Sequence, residues 1–263
     1  MTRLERTLDR RQALAVMGTV SLSGILAACG DGNGNNGNAE VMTTDGATTS
    51  VQSKTNSKVT ADLFDASASC SVSPEETEGP YYFDVDRIRS DIREDRKGTL
   101  LRLALRVRNA KSCKPIENGV VDVWHCDALG SYSGFESGGG GPPPGGPGGN
   151  SGPATDTTYL RGAQVTNADG IVEFKTVYPG WYQGRTVHIH AKVHLDNQTV
   201  LTSQLFFDED INSAVYSREP YSRHTGRDVF NDGDNIFDKR LLTSTKKDGS
   251  GYLTVMTFDV ETA

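Results

Sequence analysis

The chain has 263 residues, a formal net charge of −7, and 35% hydrophobic and 23% charged residues. That length accommodates one or two folded domains. The acidic balance, without a basic run in the body of the chain, excludes nucleic acid as the main partner, because phosphate binding needs clustered Lys and Arg.

Arg10 and Arg11 precede an apolar run from Ala13 to Ala28 that Gly, Ser and Thr interrupt. The run is short and mild for a membrane span and suits a cleavable export signal. It resembles a twin-arginine signal, although Asp9 and Ala13 depart from the usual neighbours of the pair. The ending Leu26-Ala27-Ala28-Cys29 resembles a bacterial lipobox, which predicts lipidation of Cys29 as the mature N-terminus. Residues 1–29 therefore predict an exported bacterial protein that meets the membrane only through a lipid anchor. An ordinary secretory signal would lead to the same side of the membrane. Residues 30–69, rich in Gly, Asn, Ser, Thr and Asp, read as a disordered tether, with one folded domain over 70–263.

Within that domain, short stretches alternate with period two. Leu101, Leu103, Leu105 and Val107 alternate with Arg102, Ala104, Arg106 and Arg108. Residues 119–126, 158–165, 170–177, 186–193, 200–207 and 252–260 read as further strands, with a turn at Asn167-Ala168-Asp169-Gly170. A Gly/Pro-rich stretch at 133–153 can only be a loop. Helical periodicity is weak and confined to short pieces near 75–95 and 208–240. The pattern predicts an all-β fold, an antiparallel β-sandwich of about seven to eight strands with long loops and few short helices. Three cysteines remain, Cys70, Cys113 and Cys126, in a compartment where a disulfide persists. Cys113 falls in a turn and Cys126 ends the next strand, too far along one extended segment to pair. Cys70–Cys113 is the expected bridge, with Cys126 a buried thiol.

In "TVHIHAKV" the period of two places Val187, Ile189, Ala191 and Val193 on a core face and His188 and His190 together on the other, with Thr186 and Lys192. Two imidazoles so spaced can reach one metal ion. A polar strand face that happens to carry histidines is the plainer alternative for this pair taken alone. Tyr182 and Arg185 lie just upstream, and Tyr132 follows the strand at 119–126. A phenol with a pKa near 10 is a poor ligand for a divalent ion. A trivalent ion stabilises the phenolate, so two tyrosines with two histidines suggest Fe(III).

"TEGPYYFD", "VVDVWHCDALGSYSGF", "YLRGAQVTNADG", "PGWYQGRTVHIHAKV" and "LTSQLFF" together resemble the intradiol ring-cleavage dioxygenases, in particular secreted relatives of protocatechuate and catechol dioxygenases. The resemblance covers about residues 70–258 and implies a β-sandwich around a mononuclear non-heme Fe(III). Carried over residue by residue, it makes Tyr132, Tyr182, His188 and His190 the iron ligands. Tyr178, before the Pro179-Gly180 turn, competes for the second tyrosine position. Arg185 and Gln204 match the residues that stabilise charge on the bound substrate. Glu78, Gly79, Pro80, Tyr81 and Tyr82, with Trp181, match the substrate-cavity lining. The implied partners are a small aromatic diol and O2, with a cis,cis-muconate-type product.

The chain departs from the family pattern in two places. Only five residues separate Tyr182 from His188, where many relatives have ten, and the Gly/Pro-rich loop replaces a more ordered connection. Both bear on the substrate cavity, not on the ligands. Two other readings compete: a cell-surface binding module with a non-catalytic metal site, and an Fe(II)/2-oxoglutarate oxygenase built on the His-x-Asp of His125 and Asp127. His194, His224 and the aspartates of "NDGDNIFD" read as surface or loop residues. Asp232-Gly233-Asp234 lacks the remaining ligands of a calcium loop.

Overall fold

A computed structural model describes residues 38–42, 48–52, 59–64, 70–136 and 153–262. The export signal, Cys29 and residues 137–152 of the Gly/Pro-rich loop lie outside the described residues.

Two four-stranded sheets face each other. One has the order β6 (Ile171–Val177), β3 (Leu100–Asn109), β10 (Gly251–Val260), β9 (Ser244–Asp248). The other has the order β5 (Arg161–Val165), β4 (Val120–Trp124), β7 (His188–Leu195), β8 (Gln198–Phe206). All neighbours are antiparallel except β3 and β10, which run parallel. The fold is thus the expected all-β sandwich with one parallel pair. The exception has a topological cause: β3 and β10 are separated by most of the domain and are not joined by a hairpin, whereas β10 follows β9 by one.

The alternation in β3 decides which way it faces. Leu101, Leu103, Leu105 and Val107 are fully buried between the sheets, against Val121, Val123, Ile189, Ala191 and Val193 of the opposite sheet. On the outer face Arg102 pairs with Glu173 and Asp248, and Arg108 with Asp259. Ala104 is the exception on that outer face. With Ile171, Leu253 and Val255 it forms an apolar patch that Val59 and Phe64 cover. Val59 and Phe64 belong to the stretch 30–69 that reads as a tether. Residues 38–42 (β1) and 48–52 (β2) pair as antiparallel strands, and the folded part begins before Cys70. Two apolar residues in a polar stretch show no periodicity, yet they are enough to seal a patch beside β3.

Among the described residues, helix is confined to α1 (Glu209–Tyr216) and single 3-10 turns. The side chain of Asp208 caps α1 by accepting from Asp210 N. The stretch 75–95, whose helical periodicity is weak, contains no helix. Its backbone laces the two sheet edges instead: Arg89 N donates to Ala163 O on β5, and Ile92 N to Lys175 O on β6. Both edge strands thereby gain partners for groups that would otherwise be open. A disulfide joins Cys70 to Cys113 with Cα atoms 5.6 Å apart, and Cys126 is a buried free thiol.

Candidate metal centre

Register aligns one row of side chains across all four strands of the second sheet. Gln204 on β8 pairs with His190 on β7, His190 with Trp124 on β4, and Trp124 with Arg161 on β5. Residues in register share a face, and His188 lies on the same face two positions earlier. This face is not a surface: His188 and His190 are 2% and 1% exposed. Tyr81, Trp124, Tyr132 and Tyr182 form an aromatic cluster over it.

The four predicted ligands converge on His188. Its Nε2 lies 3.1 Å from His190 Nε2, 3.2 Å from the Tyr182 hydroxyl and 3.5 Å from the Tyr132 hydroxyl. Its Nδ1 is 2.7 Å from the Thr186 carbonyl. A carbonyl only accepts, so Nδ1 carries the proton and Nε2 presents its lone pair to the cluster. The His190 ring is held by stacking on Trp124, with centroids 4.8 Å apart and planes 7° apart. Tyr81 stacks on Tyr132 at 4.3 Å and 9°, which fixes that phenol.

Burial holds both histidines well below their ordinary pKa, with Arg185 adding repulsion, so the imidazoles stay neutral. Burial raises Tyr132 well above the ordinary phenol value and raises Tyr182 too. The set therefore offers two neutral nitrogens and two phenols that ionise only against a strong cation. Donors about 2.0–2.2 Å from one ion stand roughly 2.8–3.8 Å apart when they subtend 90–120°. All three distances from His188 Nε2 fall in that window, so these residues fit a trivalent metal ion.

Tyr178 and Tyr182 flank the same turn, and only the second reaches His188. Gly180 makes the turn possible, since a Cβ there would lie 2.3 Å from Asp127 O. Tyr178 points into the main core and donates to Asn212 Oδ1 at 2.7 Å. Trp181, expected to line the substrate cavity, also turns into the main core and stacks on His224 at 4.0 Å. It does not join the aromatic cluster, because adjacent residues of an extended segment point opposite ways. His224 is therefore packed and not a free surface residue. His194 likewise has a partner, Thr199 Oγ1 at 3.0 Å.

The segment Glu78–Tyr82 passes over the site. Gly79 has φ +70°, and a Cβ there would lie 3.3 Å from His190 Cε1. Tyr82 packs on Trp124 with Lys192 Nζ 3.7 Å above its ring, and Lys192 also pairs with Glu78. Pro80 is exposed.

Arg185 and Gln204 meet: Arg185 Nη2 donates to Gln204 Oε1 at 2.6 Å, and Gln204 Nε2 donates to Thr77 O at 2.9 Å. The guanidinium is also held by Asp234, where Nε donates to Oδ2 at 2.9 Å. Asp234 lies in a loop, as its sequence suggests, but its side chain is 2% exposed. Its neighbours in sequence are polar, so nothing local marks it. Arg161 is a second residue that sequence reasoning missed. It is 1% exposed, grips Ser133 through Nε (2.8 Å to Oγ) and Nη2 (2.9 Å to O), and so anchors the loop that carries Tyr132.

His125 serves the fold. Its Nδ1 is 2.8 Å from Cys126 O and its Nε2 2.7 Å from Thr176 Oγ1, and burial lowers its pKa to about 4. Among the described residues no group of three or more His, Cys, Asp or Glu could hold a metal ion. The two-histidine, one-carboxylate alternative therefore has no site there.

Residues 77–217, more than half of the chain, match the sequence family described as "Dioxygenase". The chain belongs to the intradiol ring-cleavage dioxygenase family. This dioxygenase-family chain is similar to an intradiol ring-cleavage dioxygenase of Tetranychus urticae, with a TM-score of 0.68 and 34% identity over 73% of this chain and 95% of that one. It is also similar to the dioxygenase domain of a dioxygenase–carbohydrate-binding protein fusion from Streptomyces sp. SirexAA-E, with a TM-score of 0.54 and 27% identity over 73% and 100% of the two chains. A chlorocatechol 1,2-dioxygenase of Rhodococcus opacus is 30% identical over 139 residues, 45% of this chain and 48% of that protein. The chain spans about half or less of the length of the curated relatives it matches.

Proposed function

We propose that the chain is a non-heme Fe(III) dioxygenase that opens a catechol-type ring between its two hydroxyl-bearing carbons, inserting both atoms of O2 to give a cis,cis-muconate-type product. The observation that carries this reading is the convergence of the Tyr132, Tyr182 and His190 donor atoms within 3.5 Å of His188 Nε2 on the scaffold of this family. Tyr132, Tyr182, His188 and His190 would hold the ion. Bound there, Fe(III) would supply a Lewis acid and electron sink that orients the diol and makes its ring electron-rich.

The remaining chemistry belongs to the protein. A catechol must lose two protons to bind as a dianion, one to Tyr182 and the other to hydroxide, which leaves as water. Tyr182 would take up one as it gives way to substrate, because burial favours the neutral phenol strongly once the cation no longer compensates it. Tyr132 would stay in place, clamped by the Tyr81 stack and the Arg161–Ser133 contacts. Attack of O2 on the ring builds negative charge beside Arg185 and Gln204, whose donors are fixed before reaction. The aromatic cluster would exclude water, which strengthens those interactions.

We also propose export and lipid anchoring at Cys29. The Arg10-Arg11 run, the Leu26–Cys29 box and the Cys70–Cys113 disulfide support that location. Cys29→Ser should move the protein from the membrane to the soluble fraction. For the activity, the purified protein should hold one iron per chain, show a visible phenolate-to-iron band and consume oxygen with catechol. A colourless protein that consumes no oxygen when iron-loaded would favour the binding-module reading instead.

A further inference from the structure

Asp234 sits 49 residues beyond Arg185 and outside every motif that carries the family resemblance, yet its carboxylate is buried against Arg185. Oδ2 accepts from Arg185 Nε at 2.9 Å and from Thr186 N at 2.8 Å, and Oδ1 accepts from Ile236 N at 2.9 Å. The loop around it is pinned as well. Thr186 Oγ1 donates to Asn231 Oδ1 at 2.7 Å, and Asn231 Nδ2 donates to Phe207 O at 2.8 Å.

A guanidinium has five N–H donors in a rigid plane. Asp234 takes the Nε donor and Gln204 takes one on Nη2, which leaves three, including both on Nη1. With Nε and Nη2 tied to different elements, the guanidinium plane has one orientation left. Arg185 is also a cation beside two imidazoles, and its charge disfavours any further positive charge there. An adjacent carboxylate offsets that field without occupying the reactive edge.

We propose that Asp234 is the positioning residue for Arg185, setting the guanidinium edge that meets charge developing on the substrate. The proposal rests on the dioxygenase reading above. Asp234 acts through Arg185 and does not touch substrate, so its signature is coupling and not contact.

The test is a double-mutant cycle on the iron-loaded protein, with Arg185→Ala, Asp234→Asn, Asp234→Ala and the Arg185→Ala/Asp234→Ala pair. Asp234→Asn keeps an oxygen acceptor and the shape, so it reports the charge and geometry if Asp234→Ala folds poorly. Misplacing Arg185 should slow kcat by roughly tenfold to a hundredfold, with KM for catechol, iron content and the visible band little changed. The pair should be no slower than Arg185→Ala alone. In 15N-correlated spectra of the apo-protein, the Arg185 Nε–H should exchange slowly with solvent and lose that protection in Asp234→Ala. Multiplicative kcat losses in the pair, or loss of iron in Asp234→Asn, would overturn the assignment and make Asp234 a fold anchor only. A wild type that consumes no oxygen would instead remove the dioxygenase reading, and this assignment with it.

Discussion

Replacing Tyr132 by Phe removes one oxygen atom and leaves the ring, which separates a ligand's role from a packing role. The ring is 2% exposed and stacks on Tyr81 at 4.3 Å, and both features survive the change. The loop stays gripped, because Arg161 holds Ser133 and not the phenol. The hydroxyl's contact with His188 Nε2 is 3.5 Å, at the outer limit of a hydrogen bond. Its loss should therefore cost the apo-protein less than about 1 kcal/mol, or about 2–4 °C in Tm. The effect on the metal should be much larger. One of two anionic donors disappears, and since outer partners of a ligand already matter 10–100-fold, a ligand should cost at least about a hundredfold in iron affinity. Calorimetry of the apo-protein, iron titration and the visible spectrum read these quantities together. A Tm lowered by no more than about 2–4 °C, with lost iron affinity, a weakened phenolate band and little turnover, is the expected combination. Unchanged iron binding, band and turnover would show that Tyr132 is no ligand, and a large loss of apo-protein stability would make its role structural.

Three further outcomes follow from the same contacts. Arg185→Ala should keep iron and substrate binding while slowing turnover by roughly 10²–10³-fold, the usual loss for one preorganised donor; loss of iron in this variant would mean its role is structural. Phe64→Ala should destabilise by about 3 kcal/mol, since Phe64 is 3% exposed over the outer patch of β3, with the iron band unmoved; denaturant titration reads the change, and a loss below about 0.5 kcal/mol would place Phe64 outside the folded unit. His125, His188 and His190 are buried, and burial lowers their folded-state pKa below the ordinary value near 6.5. The unfolded chain therefore takes up protons first as pH falls. The apo-protein should hold its full stability above about pH 6.5 and lose it progressively towards pH 4, and equal denaturant midpoints at pH 7.5 and 5 would contradict this.

The strands were legible because an apolar residue at every second position must face a core, and β3 does so with four fully buried side chains. His188 and His190 were legible for the same reason, their shared face being forced by the alternation of β7. The choice of Tyr182 over Tyr178 came from the family resemblance, and the structure gives its cause in the turn at Gly180. Other features left no local trace. β9, "STKKD", is mostly exposed and polar, and it is a strand only because β10 offers it a ladder. β1 and β2 sit in a stretch whose composition reads as tether, and pairing is a property of two segments together. Arg161 lies within the stretch read as the strand 158–165, and nothing local shows that its register beside Trp124 and its bonds to the Ser133 loop turn it inward. Asp234 is the extreme case, since what distinguishes it is a partner 49 residues away.

The central claim is that Tyr132, Tyr182, His188 and His190 hold an Fe(III) ion that serves intradiol ring cleavage. Its most direct measurement is the mass spectrum of the product formed from catechol under 18O2 by the iron-loaded protein. A cis,cis-muconate carrying both labelled oxygen atoms is the predicted result. A ring opened beside the diol, a product with one label, or unreacted catechol would contradict the account.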